Sequence, residues 1–416
     1  MTQQTVRPFD VTGWTAGELA DPYPVYRRYR EQDPVHRSAS GPGGADTWYL
    51  FRDRDVTDAL TSPHFGRNTR RSTGAGTPPP RMVPDGYDTL RTVVENWLVF
   101  LDPPRHTRLR ALINKEFSPR VVAGLRPRIE QIADELLASM VGRPTIDLVD
   151  EFAAPFPILV ISELLGVSPD DRGWFRDQVM NLREGIASRT GRRADGYALA
   201  DAAAADLVTY FRVELDRRRS AAQDDLIALL VDAQARGEPL TDDELVANAI
   251  HLLIAGHETT TNLIAKAMLA LLAHPAFAAA LRSTPDLMPQ AVDELLRYDA
   301  PVQMVTRWAE RDQVIDGRDV RAGDKVVLVL GSANRDPARF ADPDTLKIRP
   351  GPNRHCGFGS GIHFCLGAPL ARLEAEIALR MLLDAFPGMA RTDEPVPYAE
   401  DIVFHGPTRL VLKTGH

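Results

Sequence analysis

The stretch from Thr241 to Ala273 constrains the fold of this chain more than any other. Thr241-Asp242-Asp243-Glu244 has the pattern of a helix start, with Thr241 as the cap and Glu244 three residues on to close a capping box. Leu245, Ile250, Leu253 and Ala255 carry the apolar spacing onward to Ala273, and His274-Pro275 stops it, because helical backbone is disfavoured ahead of a proline. Such a helix is on the order of 48 Å long. It must cross the core of the domain that contains it. Halfway along, Ala255-Gly256-His257-Glu258-Thr259-Thr260 interrupts the apolar pattern with a glycine, an acid and the first two of three consecutive threonines. Polar groups at the centre of a core helix are costly unless they are satisfied or used. Small residues there let a flat ligand rest against the helix, and threonine hydroxyls can divert backbone hydrogen bonds and open a local groove.

A second stretch supplies a reactive sulfur. Phe358-Gly359-Ser360-Gly361-Ile362-His363-Phe364-Cys365-Leu366-Gly367 places one cysteine in a glycine-framed loop, and Leu366 to Leu379 is rich in helix formers with apolar residues at helical spacing. Cys365 therefore sits at or just before a helix start, where backbone N–H groups and the positive end of the helix dipole stabilise a thiolate. Gly359 and Gly361 let the loop take backbone angles that a side chain forbids, and Gly367 lets a flat cofactor approach the backbone closely. Three readings of the cysteine stand side by side: a thiolate ligand for haem iron, an ordinary buried thiol, or a zinc ligand with His355, Cys356 and His363. The zinc set lacks the short cysteine pair expected of structural zinc loops.

With 416 residues and 44% hydrophobic content, the chain can bury a large core. Length alone suggests two domains, but no Gly/Ser linker or long charge block divides it, and Ser72 to Pro84 reads as a surface loop, so one domain over residues 1–416 is expected. Two cysteines rule out a disulfide framework and fit a reducing cytoplasm. Met1 to Asp10 lacks the pattern of a signal peptide, and no stretch approaches the roughly 18 uninterrupted apolar residues of a membrane helix. A net charge of −8 argues against general nucleic-acid binding. A soluble, cytoplasmic protein without membrane or nucleic-acid partners is expected.

The cysteine loop resembles the haem-binding loop of the cytochrome P-450 family, whose pattern Phe-x-x-Gly-x-x-x-Cys-x-Gly is met at Phe358, Gly361, Cys365 and Gly367. The middle of the long helix resembles the same family's oxygen-activation motif, Ala/Gly-Gly-x-Asp/Glu-Thr-Thr/Ser. Glu294-Leu295-Leu296-Arg297 resembles its Glu-x-x-Arg element, and residues three apart meet on one helix face. Asp102-Pro103-Pro104-Arg105-His106-Thr107-Arg108-Leu109-Arg110 resembles its Asp-Pro-Pro-x-His-x-x-x-Arg segment, and Arg307 matches another propionate-binding position. The likeness runs from Asp21-Pro22-Tyr23-Pro24 to Leu410-Val411-Leu412. It departs at Cys356, where a small residue is expected, and at Leu346, where an aromatic one is usual.

The resemblance implies a mainly α fold with small antiparallel β-sheets, a triangular single domain with haem between the central oxygen-activating helix and the cysteine loop. It implies haem b (iron protoporphyrin IX) with Cys365 as the axial iron ligand, lying against Ala255, Gly256, Phe358, Gly359 and Gly367. His106, Arg110, Arg307 and His363 would hold its propionates, which guanidinium groups grip with paired hydrogen bonds. Thr259 would hydrogen-bond the activated oxygen and Glu258 would relay protons, an acid and a hydroxyl being a minimal relay, while the thiolate pushes electron density toward iron. Glu294, Arg297 and the later Arg349 would support the haem loop. The substrate pocket would draw on Phe65 to Leu101, the long helix before Thr259, Pro301 to Val305, and Ile402 to Phe404, with Trp97, His251, Ala255, Gln303, Val305 and Phe404 as candidate contacts. His251 lies one turn before Ala255 on the same helical face, and reads equally as a core histidine satisfied by a carbonyl.

The expected activity is O2-dependent hydroxylation or epoxidation of a small hydrophobic or aromatic secondary metabolite by a monomer. Electrons would come from NAD(P)H through a ferredoxin reductase and a ferredoxin, since the chain has no dinucleotide fingerprint, with docking near Cys365 at Arg108, Arg354 and Arg372. Two alternatives stay open: the same chemistry diverted to oxidative C–C coupling or desaturation of an aromatic intermediate such as an indole or phenol, and, more distantly, a non-enzymatic haem or zinc binding protein.

Overall fold

The computed structural model describes residues 9–38, 46–67, 82–186, 194–221, 223, 225–348 and 353–415. Arg349, and residues 68–81 of the expected pocket wall and surface loop, lie outside that set. The long helix is continuous over Asp242–Ala273, and its start is capped as expected: the Glu244 N–H donates to the Thr241 hydroxyl while the Thr241 N–H donates to the Glu244 carboxylate, both at 3.1 Å. At His274-Pro275 the chain turns by 105° into the helix Pro275–Ser283. The long helix runs among the helices Asp88–Glu95, Pro155–Leu164, Gly196–Ser220 and Ala368–Ala385, and all of them bury apolar faces in one principal core. Its Ile250, Leu253, Ile264 and Met268 are fully buried, each such side chain contributing about 1.5–3 kcal/mol of transfer free energy. Among the described residues, no single helix is both long and apolar enough to cross a membrane.

Small sheets flank the helices, as expected, but the largest is mixed rather than purely antiparallel. Its spatial order is Val35–Ser38, Thr47–Leu50, Lys325–Val329, Met304–Ala309, Phe65–Gly66, and Thr47–Leu50 runs parallel to Lys325–Val329. Strands this distant in sequence have no hairpin to force them antiparallel. The Asp324 carboxylate fixes their register by accepting from the Asp46 N–H at 3.1 Å and from Trp48 Nε1 at 2.9 Å. A three-stranded sheet has Val411–Lys413 between Thr145–Asp147 and Ala390–Arg391. The hairpin Gln313–Ile315 with Arg318–Val320 turns through Asp316 and Gly317, both at positive φ as a tight hairpin turn requires.

Behind the cysteine loop, the helix Met288–Tyr298 carries Glu294 and Arg297, whose side chains are 0% exposed. Arg297 grips Glu294 with two bonds of 2.8 Å and donates also to the carbonyls of Asn334, Pro343 and Thr345. Glu294 accepts from the Lys347 N–H and from Asn353 Nδ2. The pair thus anchors the segment that leads into the cysteine loop. Removing one partner of such a pair strands a buried charge, at a cost of about 3–5 kcal/mol.

Candidate active site

Cys365 is held by its own backbone: its N–H donates to the Phe358 carbonyl at 2.8 Å, closing the loop on itself. Gly359 and Gly361 adopt φ of 71° and 69°, and a side chain on Gly361 would come within 2.6 Å of the Leu60 carbonyl. The helix Ala368–Ala385 begins three residues past the cysteine, with Gly367 as its cap and nothing within 4 Å of where a Gly367 side chain would stand. The Phe358 ring lies under the Arg372 guanidinium at 4.5 Å. Burial pushes the Cys365 thiol up, against the pull of the Gly367 and Ala368 N–H groups and of Arg110 and Arg372. The helix-terminus effect expected from the sequence is present, but desolvation outweighs it. A coordinated metal ion reverses that balance, because its charge deprotonates a ligating thiol outright.

Cys356 is a different kind of cysteine. Its sulfur faces Asn334 Oδ1 at 3.1 Å and the Leu330 carbonyl at 3.6 Å, and burial holds its thiol far above the ordinary range. His355 accepts from the Gly357 N–H and faces Asp293. Among the described residues, no three His, Cys, Asp or Glu side chains converge on a point that could hold a metal ion, so the alternative zinc set is not assembled.

The middle of the long helix has an open side: Ala255 is exposed although Leu252, Leu253 and Ile254 before it are buried. Gly256 serves a different contact, since a side chain there would point at Ile161 of the neighbouring helix at 3.5 Å. The Thr259 hydroxyl donates to the Ala255 carbonyl at 2.8 Å and Thr261 to that of His257 at 2.9 Å. The helix remains unbroken, so the expected groove is a pair of doubly used carbonyls rather than a gap. Glu258 forms an ion pair with Arg183 of the helix Arg172–Ile186, both side chains largely buried. Thr260 hydrogen-bonds Glu374, which ties the long helix to the helix that follows Cys365, and burial pushes the Glu374 carboxyl up to about 8.

His106 and Arg110 lie one turn apart on the helix Arg105–Ile113. His106 is 1% exposed, neither of its ring nitrogens has a hydrogen-bond partner among the described residues, and its ring centre lies 4.3 Å from that of His363. Arg110 donates to the Phe364 carbonyl at 2.6 Å. Arg307 and Arg67 each place Nη1 on the Thr306 carbonyl, at 3.0 and 2.6 Å, and Arg67 Nε also donates to the Val99 carbonyl at 2.8 Å. Burial, reinforced by neighbouring cations, lowers His106 to about 4 and His363 to about 2; Arg67 falls to about 9 through burial and Arg307. Burial takes Arg307 down to about 10. Asp102 is the carboxylate whose field reaches His106, Arg67 and Arg307.

Trp97 and His251 stack with ring centres 5.1 Å apart, and Trp97 Nε1 and His251 Nδ1 are buried without partners among the described residues. Burial and the Arg67 charge lower His251 to about 4, so it is neutral at pH 7. Val305 and Phe404 are half-buried, the latter bridged to Val302. Gln303 departs from expectation. Its amide is fully buried and donates to the Ala300 carbonyl at 2.7 Å and to the Tyr23 hydroxyl at 3.3 Å, because the strand around it packs against the N-terminal helix Tyr23–Gln32. Of the three arginines expected at a docking face, Arg354 is exposed, whereas Arg372 binds Asp293 and Arg108 faces Glu244.

A family model described as cytochrome P-450 matches residues 179–411, and close relatives span almost the whole chain. The chain belongs to the cytochrome P-450 family. It is 41% identical over 380 residues to the cytochrome P-450 monooxygenase PikC of Streptomyces venezuelae, covering 90% of this chain and 86% of that one. It is 38% identical over 393 residues to the cyclomarin C epoxidase CymV of Salinispora arenicola, covering 94% and 95%. The structure of the cytochrome P-450 PksS of the Bacillus subtilis 168 bacillaene polyketide synthase matches at TM-score 0.87 and 34% identity, over 98% of this chain and all of that one. This cytochrome P-450 is thus an oxidoreductase of the monooxygenase type, with the family's haem-thiolate cofactor.

The residues fit that cofactor. A cation-rich corner with two unpartnered imidazole nitrogens suits carboxylates, the open face of Ala255 suits a flat ring, and the loop sulfur suits a metal. Sequence reasoning missed Arg67, Arg183 and Glu374. The neighbours of Arg67 and Arg183 come from remote segments, so no spacing rule marks either one, and Glu374 looks like any helix former in its helix.

Proposed function

We propose that this cytochrome P-450 binds haem b in one domain through Cys365 and inserts an oxygen atom into a small hydrophobic secondary metabolite. The gathering of Arg67, Arg110 and Arg307 beside the unpartnered ring nitrogens of His106 carries the reading, because such donors suit anions that the described residues do not supply. Bound haem supplies the iron centre that activates O2 with two electrons and two protons. His106, Arg110, Arg307 and His363 hold its propionates, and Ala255 leaves room for its plane. Thr259 presents a hydroxyl already anchored to the Ala255 carbonyl, from which it can turn to donate to oxygen. Glu258 keeps a carboxylate beside it, and release from Arg183 lets that carboxylate pick up and pass a proton.

On the substrate side, Trp97 Nε1 offers a donor and neutral His251 a polar nitrogen, so the substrate carries a hydroxyl, carbonyl or indole-type group beside its apolar body. The likeness to an epoxidase supports oxygen insertion. A ferredoxin delivers the electrons in the cytoplasm, meeting a face where Ile362 and Phe364 are exposed beside Cys365. Thr259→Ala tests the assignment: the variant should consume NAD(P)H at a rate near wild type while product falls about tenfold or more and hydrogen peroxide rises. Unchanged coupling contradicts the role of Thr259. With isotopic O2 the wild-type product should gain one labelled oxygen, and a product that instead loses two hydrogens would move the reading to desaturation or coupling.

A further inference from the structure

Arg67 belongs to none of the motifs that point to the prosthetic group, yet it stands among the residues that do. It follows the short strand Phe65–Gly66, which pairs with Trp308 and Ala309, and this pairing sets its side chain beside Arg307. Both guanidinium groups donate through Nη1 to one carbonyl, that of Thr306. Two like charges on a single acceptor repel unless an anion lies between them. Arg67 Nη2 makes no hydrogen bond among the described residues, while Nε is fixed on the Val99 carbonyl and the Phe100 ring lies 5.2 Å from the guanidinium carbon. The side chain is therefore oriented by Nε and Nη1, with Nη2 left over for a further acceptor.

Arg67, Arg110 and Arg307 bring three guanidinium groups to this corner, and the Asp102 carboxylate accepts from the Arg67 N–H at 3.0 Å.

Resting on the haem reading above, we infer that Arg67 is a fifth propionate-binding residue, forming with Arg307 a two-arginine clamp on one carboxylate across the shared Thr306 carbonyl. Because Nε stays on Val99 O, the same side chain links the bound group to the 98–100 segment next to Trp97, so filling the clamp steadies one wall of the substrate pocket. Arg67→Gln and Arg67→Lys test it, read as the rate at which the purified holoenzyme loses haem to excess apomyoglobin and as the ferric–ferrous midpoint potential.

The clamp predicts that Arg67→Gln loses haem about tenfold faster, the loss of one charge-assisted hydrogen bond, and has a lower potential because a positive charge has gone. Arg67→Lys should recover most of both, since it restores the charge. A wild-type loss rate and potential in Arg67→Gln would overturn the assignment. So would equal loss in the two variants, because lysine cannot span both carbonyls and a merely structural tie would fail alike in each. A wild-type protein that purifies without haem would instead overturn the proposed function, and this inference with it.

Discussion

Arg297 and His106 are equally hidden from solvent, yet the donors of Arg297 find a carboxylate and three carbonyls while neither nitrogen of His106 finds a partner among the described residues. The first network lies behind the cysteine loop and is complete within the protein. The second lies around His106, His363, Arg67 and Arg307, and among the described residues it leaves both ring nitrogens of His106 without partners. A buried polar group without a partner costs about 1–3 kcal/mol. A fold carries several such costs in one place only if something outside the chain settles them. Burial alone therefore does not separate these two regions, whereas the pairing of Arg297 and the lack of it at His106 do.

Breaking the complete network should have the largest effect. Arg297→Ala leaves Glu294 charged and buried, and should lower folding stability by about 3–5 kcal/mol or abolish soluble expression. A shift under about 1 kcal/mol in urea titration would mean that the network is dispensable. The opposite pattern is expected on the unsatisfied side. His251→Ala removes a ring nitrogen, Nδ1, that bonds nothing among the described residues, so its stability should stay close to that of other small truncations, while substrate affinity in a spectral titration falls about tenfold. Unaltered affinity would remove His251 from the pocket.

The last effect is read across pH rather than at one pH. Glu374 has its folded-state value raised from 4.5 to about 8, so the native protein keeps a proton that the unfolded chain has already released. Stability should thus decline as pH rises from 4.5 through 8. Glu374→Gln should flatten that decline, matching wild type at the acid end and exceeding it at the alkaline end of a denaturant series. A wild-type slope retained in the variant would place the titrating group elsewhere.

Much of this was legible from the chain. The capping box at Thr241 and Glu244 and the stop at His274-Pro275 delimit the long helix, and the glycines around Cys365 foretell its loop, because these are local chemistries read from adjacent residues. The partners of Glu258 and Gln303 were not legible. Arg183 and Tyr23 reach them from distant segments, and nothing in their own neighbourhoods marks the meeting. The parallel pairing of Thr47–Leu50 with Lys325–Val329 escaped for the same reason. Gly256 escaped for another: a motif assigns it to the cofactor, but its bare side faces Ile161.

The central claim is that Cys365, and not Cys356, is the thiolate that holds haem iron. The carbon monoxide difference spectrum of the dithionite-reduced protein tests it most directly, compared across wild type, Cys365→Ser and Cys356→Ser. Wild type and Cys356→Ser should both give the strongly red-shifted Soret band of a thiolate-ligated iron, and Cys365→Ser should lose it. A red-shifted band that survives in Cys365→Ser, or that disappears in Cys356→Ser while the protein stays folded, would contradict the account.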